Sequence, residues 1–155
     1  MNAAIASLLA VHLSLAAAVA AATCDRMTKD AAPHLRDLLR MSRTAARDTE
    51  RAMFLTRDDD GGIGSVLWPR TMERRKATYR GSVPRNAIAI AHTHPHEMPK
   101  PSQHDLDEAA RTGLPIYVVT RAAIYRVEPD RTVIEIAGRA DWPTVVERGG
   151  EVCLA

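Results

Sequence analysis

Aromatic residues are scarce: Phe, Trp and Tyr together make up 4% of the 155-residue chain. A core must therefore be built mainly from Ala, Val, Ile and Leu. Cysteine is scarcer still. Only Cys24 and Cys153 occur, and no Cys-x-x-Cys pair exists, which excludes the zinc sites built on thiolates at that spacing. Basic residues form no block; Lys and Arg number 21 against 19 Asp and Glu, a net charge of +2 spread along the chain. Nucleic-acid binding needs a concentrated basic footprint with groove-reading or stacking elements, and neither is present. No low-complexity linker or internal repeat follows the first residues. With 46% apolar and 26% charged residues, the chain has the balance of one folded globular domain and is too short for two ordinary ones.

Charge is missing altogether from Met1 to Ala22. Ile5 to Val19 is a continuous Ala, Leu, Val, Ser and Ile run broken only by His12, and Ala20-Ala21-Ala22 then leads into polar Thr23-Cys24-Asp25-Arg26. This pattern reads as a secretory signal cleaved near Ala22, although its start carries no Lys or Arg. The alternative is a retained membrane anchor, since about 20 apolar residues can span a bilayer. The expected organisation is thus a leader over residues 1–22 and one domain over 23–155, secreted or periplasmic, touching a membrane only if the leader is kept. The two cysteines could close a disulfide between the chain ends or remain two buried thiols. The Ala-Ala-Thr before Cys24 is a poor setting for lipidation.

Apolar positions Leu35, Leu38, Leu39, Ala45 and Ala46 recur at helical spacing and predict an amphipathic helix over Asp30–Arg47, beginning near Pro33. Arg51–Arg57 reads as a strand, Asp58-Asp-Asp-Gly-Gly62 as a turn and Ile63–Trp68 as the returning strand. Pro69 to Pro84, rich in Arg and Lys, reads as loop with some strand. Asn86–His94 is a central strand, with Ile88 and Ile90 assigned to the face of His92 and His94, and Ala87, Ala89, Ala91 and Thr93 to the other. Prolines make Pro95–Pro101 a loop. Ser102 opens a helix that stops at Gly113, and Ile116–Thr120, Ala122–Val127 and Thr132–Ala137 form an antiparallel meander. The order predicts an α+β, or mixed α/β, single domain with a central mixed sheet flanked by helices.

His92 and His94 stand two apart on a strand, so both imidazoles leave the same face and suit chelation of one metal ion. Asp105, in the first turn of the next helix, supplies an oxygen ligand if the proline loop folds that turn over the strand end. Two His and one carboxylate leave a tetrahedral zinc ion one open position for water, the pattern of a catalytic site. Ser102-Gln-His-Asp105 also has the form of a capping box, which would fix the carboxylate. His96 and His104 read as solvated. A deaminase would need a Pro-Cys-x-x-Cys segment, which is absent. A binuclear phosphoesterase would need more Asp and His ligands than the chain offers.

His92-x-His94-Pro95, seven intervening residues, Ser102, two more and Asp105 together resemble the JAMM motif of the MPN or JAB-domain metalloproteases. The resemblance covers about Asp30 to Gly138 and is specific near residues 90–110. It implies a cytidine-deaminase-like layout, one zinc ion per chain on His92, His94 and Asp105, and a glutamate at the first helix–strand junction that activates water. Glu50 occupies that junction; the chain has Glu50-Arg-Ala-Met53 where the family often has Glu-x-x-Gly, and Glu73 is a poorer candidate. By the implied mechanism zinc brings the pKa of a water towards about 7. Glu50 takes its proton and returns it to the leaving amine, and the Ser102 hydroxyl donates to the oxyanion. Thr93 points away from the metal. The implied substrate is a peptide or protein cleaved at a peptide or isopeptide bond; the alternative is a catalytically inactive metal-binding or interaction module.

Overall fold

The computed structural model describes residues 23–24, 26–43, 50–70, 77–94, 98–138 and 153–154. Residues 1–22, the expected leader, and Glu73 lie outside these residues. Six strands form one mixed sheet: β2 (Ala52–Arg57), β3 (Ile63–Leu67), β4 (Ala87–Thr93), β5 (Ile116–Val119), β6 (Ile124–Val127) and β7 (Val133–Ala137), in the order β3-β2-β4-β5-β6-β7. All neighbours pair antiparallel except β4 and β5, which run parallel through the crossover helix α2 (Gln103–Thr112). The α+β architecture with helices on a central mixed sheet agrees with the sequence expectation.

The β2–β3 hairpin forms where the Asp-Gly run predicts it. Asp58 N–H donates to Gly62 O at 2.9 Å, and Gly61 takes the positive φ of 84° that the turn requires. Gly113, at φ 68°, caps α2 in the left-handed conformation and donates its N–H to Ala109 O. Two short strands, β1 (Thr23–Cys24) and β8 (Cys153–Leu154), pair antiparallel with Cys24 opposite Cys153.

The helix α1 (Arg26–Arg43) departs from expectation at its start: it begins seven residues before Pro33, which sits inside it. A proline in a helix interior removes one backbone hydrogen bond. The turn around it is nevertheless held to the sheet, since Ala31 and Ala32 are buried at 0% and 4% exposure while Pro33 faces solvent. Residues 44–47 of the expected helix lie outside the described residues. So do residues 71–76 of the basic loop, whose described remainder contains no strand.

Each face of the sheet carries its own apolar cluster. Ala31, Leu35 and Leu38 of α1 cluster with Met53, Leu55, Ala89, Ala91, Tyr117 and Val119 of the sheet. The α2 face gathers Phe54, Ile90, Ala109, Ile116, Val118 and Val127. Aliphatics dominate both, as the composition requires, although the largest fully buried side chains are Tyr117 and Phe54. The assigned face of Ile88 is corrected by the structure. The register runs Leu55↔Ala89 and then Thr56↔Ala87, so Ile88 is an extra residue at a bulge. It packs with Ala89 and Ala91 on the α1 side, and Ala87 moves to the face of Ile90.

Candidate metal centre

β4 ends at the top of the sheet with His92 and His94 on the α2 face. His92 sits opposite Ala52 in the β2–β4 register, and His94 N–H donates to Val119 O on β5 at 3.1 Å. The strand end is therefore held from both sides. The crossover to β5 then brings the first turn of α2 over it. Ser102 is the N-cap and completes the capping box: its hydroxyl accepts from Asp105 N–H at 3.4 Å, and its own N–H donates to Asp105 Oδ2 at 2.6 Å. The hydroxyl proton also goes to Asp105 Oδ2, at 2.8 Å. The cap thus aims the carboxylate at the two histidines.

His92 Nε2 lies 3.0 Å from Asp105 Oδ1, and His94 Nε2 lies 3.4 Å from Asp105 Oδ2. One ligand atom from each of the three residues falls within 4.8 Å of the others. The far side of His94 decides its tautomer. Nδ1 faces the backbone carbonyls of Met98 and Lys100 at 3.1 and 3.0 Å, and carbonyl oxygen can only accept, so Nδ1 carries the hydrogen. Nε2 is left with its lone pair directed at a carboxylate oxygen. Two acceptors face to face demand a cation between them, either a proton or a metal ion, and a carbonyl-anchored imidazole is the usual support of a metal ligand.

The protonation tendencies follow from the same contacts. Burial alone would lower His94 and raise Asp105. At His94 the hydrogen bond and negative charge of Asp105, the charge of Glu50 and the Lys100 carbonyl together outweigh burial and raise its pKa, while the hydrogen bonds and charge of the imidazoles and the Ser102 N–H hold Asp105 far below the ordinary carboxylate range. A divalent cation would take the place of the shared proton, so metal uptake releases protons.

Glu50 lies in the segment leading into β2. Thr93 N–H donates to Arg51 O at 2.9 Å, and Arg51 N–H donates to the Thr93 hydroxyl at 3.0 Å. This pair continues the register and sets Glu50 level with His94. Its Oε2 accepts from Ala77 N–H at 3.2 Å. Burial raises its pKa, and the nearby imidazoles only partly offset that. Thr93 is buried and does not line the cavity, in line with its expected direction away from the metal.

One cavity of about 620 Å³ is lined by Glu50, His92, His94, Ser102 and Asp105 together, so the structure brings all five candidate residues to one place. His104 is exposed at its rim and His96 lies outside the described residues. Composition reasoning missed the opposite wall, where Phe54, Trp68 and Tyr79 stack against one another. It also missed the Ala77 N–H and the two loop carbonyls, because backbone partners leave no mark in residue type. Among the described residues no helix is long and apolar enough to cross a membrane.

A family model described as prokaryotic homologs of the JAB domain matches residues 35–133, from the middle of α1 into the start of β7. The match spans most of the described sheet and all five candidate residues. No curated protein matches the chain.

Proposed function

The chain belongs to the family of prokaryotic JAB-domain homologues, and from that premise we propose that it is a zinc-dependent hydrolase of peptide or isopeptide bonds. The observation that carries the reading is the His94 arrangement: an imidazole locked by two carbonyls, with its lone pair turned to Asp105 beside His92. One zinc ion on His92, His94 and Asp105 would supply Lewis acidity, polarising a carbonyl and acidifying water. The family relation and the nitrogen–oxygen donor set favour zinc over a hard cation.

The remaining work falls to the chain's own groups. Glu50, part-buried beside the imidazoles, would take a proton from the attacking water and return it to the leaving nitrogen. Its raised pKa suits both halves of that task. Ser102 lines the same cavity, and rotation of its hydroxyl away from Asp105 would offer a donor to the carbonyl oxygen as negative charge develops there. The substrate is a peptide or protein, and the charge-free leader favours a secreted or periplasmic one.

Metal analysis after zinc loading and gel filtration is the direct test. One zinc per chain is expected, falling well below stoichiometric in His94→Ala. Zinc-loaded chain should hydrolyse an unstructured peptide mixture, and Glu50→Gln should keep zinc but lose hydrolysis. Full zinc occupancy with no cleavage of peptide or isopeptide substrates would instead support a metal-binding interaction module. Mass spectrometry of the exported protein should find a chain beginning at Thr23.

A further inference from the structure

We propose that the aromatic wall of the cavity is a specificity pocket for a large apolar side chain, aromatic above all, on the peptide next to the scissile bond. This deepens the hydrolase reading and rests on it.

Phe54, Trp68, Tyr79, Val83, Ile90 and Ile116 line the same cavity as the metal group and Glu50. Its volume, about 620 Å³, lies within the range of small-ligand sites. On the sheet, the Phe54↔Ile90 pair sits two residues along from the Ala52↔His92 pair. At about 3.3 Å per residue the apolar floor therefore begins about 7 Å from His92. An extended peptide advances by the same rise, so the side chain that reaches this floor belongs to a residue within two of the reacting carbonyl.

The wall is also unlike ordinary core. Half of the chain's Phe, Trp and Tyr residues gather there, in a protein where such residues are only 4% of the total. Ring centroids lie 5.1 Å apart for Phe54 and Trp68, 4.9 Å for Phe54 and Tyr79 in an edge-on contact, and 5.3 Å for Trp68 and Tyr79. Such a cluster offers both ring faces and ring edges to a further ring. Trp68 and Tyr79 are only partly buried and Val83 is 49% exposed, whereas Leu35, Leu55 and Tyr117 on the other face are fully covered. Charge at the rim does not compete for a charged side chain: Arg111 Nε donates to Glu108 Oε2 at 2.8 Å, so these two residues satisfy each other. The occupant that matches this lining is apolar.

The test measures binding without turnover. Zinc-loaded Glu50→Gln chain is titrated calorimetrically with two blocked tetrapeptides that differ only in carrying Phe or Gly at one position, that position being scanned along the peptide. The Phe peptide should bind at least about tenfold more tightly at one position, the discrimination one apolar group supplies in a pocket. Val83→Glu, a change at an exposed residue, and Tyr79→Ala should each erase the difference while the melting curve reports a folded chain. Equal binding of the two peptides, no binding of either, or a preference that survives both substitutions overturns the pocket. The hydrolase reading fails separately: selective binding of the Phe peptide with no cleavage by the wild-type chain keeps the pocket and removes the reaction.

Discussion

The two faces of the central sheet are made by the same strands and serve opposite ends. On the α1 side Leu35, Leu38, Leu55, Ala89, Ala91 and Tyr117 are all fully buried. On the α2 side Phe54, Ile90 and Ile116 are also buried, but they line a cavity together with Trp68 and Tyr79, which stay part-exposed. The covering helices explain the contrast. α1 spans 18 residues over its face, whereas α2 spans only 10, and Trp68 and Tyr79 on its face are only partly buried. Alternation along each strand thus separates stability from chemistry: a residue and its neighbour in sequence answer to different demands.

That contrast can be broken from either side. The largest effect is expected on the open face. Glu50→Gln should cut kcat/KM by about 10² to 10⁴, the usual worth of a general base, with little change in the melting temperature. The pH profile sharpens the assignment. A base acts only when ionised, so activity should fall as pH drops through the Glu50 pKa, which burial raises and the charge of a bound zinc ion lowers. An acidic limb that persists in the residual activity of Glu50→Gln would reject Glu50 as the base.

On the closed face Leu55→Ala should cost about 2–5 kcal/mol in denaturant unfolding, the range for a buried leucine, while the folded fraction keeps its zinc stoichiometry. Loss of zinc in that folded fraction would show that the two faces are coupled. Ser102→Ala crosses the division, since it removes a helix cap and a donor to Asp105 together. About 1 kcal/mol of stability should be lost along with weaker zinc binding in a chelator competition. Wild-type zinc affinity would show that the cap alone does not aim the carboxylate. The smallest effect is expected from Thr93→Val, which deletes the acceptor of Arg51 N–H at a cost of about 1 kcal/mol. It should lower kcat more than it raises KM, because what shifts is the segment that positions Glu50. An unchanged kcat would leave Thr93 a packing residue only.

Much of this was legible from residue order. Strand alternation gave His92 and His94 one face, and Ser102 with Asp105 announced a capped helix; side-chain type alone carries both signals. The β2–β3 hairpin was equally plain in its Asp-Gly turn. Three features were not legible, each for a physical reason. The start of α1 was masked by Pro33, whose local preference for a first turn yields to burial of Ala31 and Ala32. The bulge at Ile88 was invisible because an extra residue in a strand changes the count without changing the composition. The aromatic wall joins Phe54, Trp68 and Tyr79 from three separate segments, and no spacing rule connects them.

The bulge has a bearing on how this chain tolerates change in length. Ile88 absorbs one residue of phase between the start of β4 and its histidine end. Inserting or deleting a single residue beyond it, between Ala89 and Ala91, would turn both imidazoles into the sealed core under α1 and bring alanines to the cavity. Paired insertions would keep the parity and move the imidazoles only along the strand. Length variation among sequences of this kind should therefore collect in the β2–β3 turn, where no parity is at stake, and be absent from the few residues between the bulge and the metal ligands.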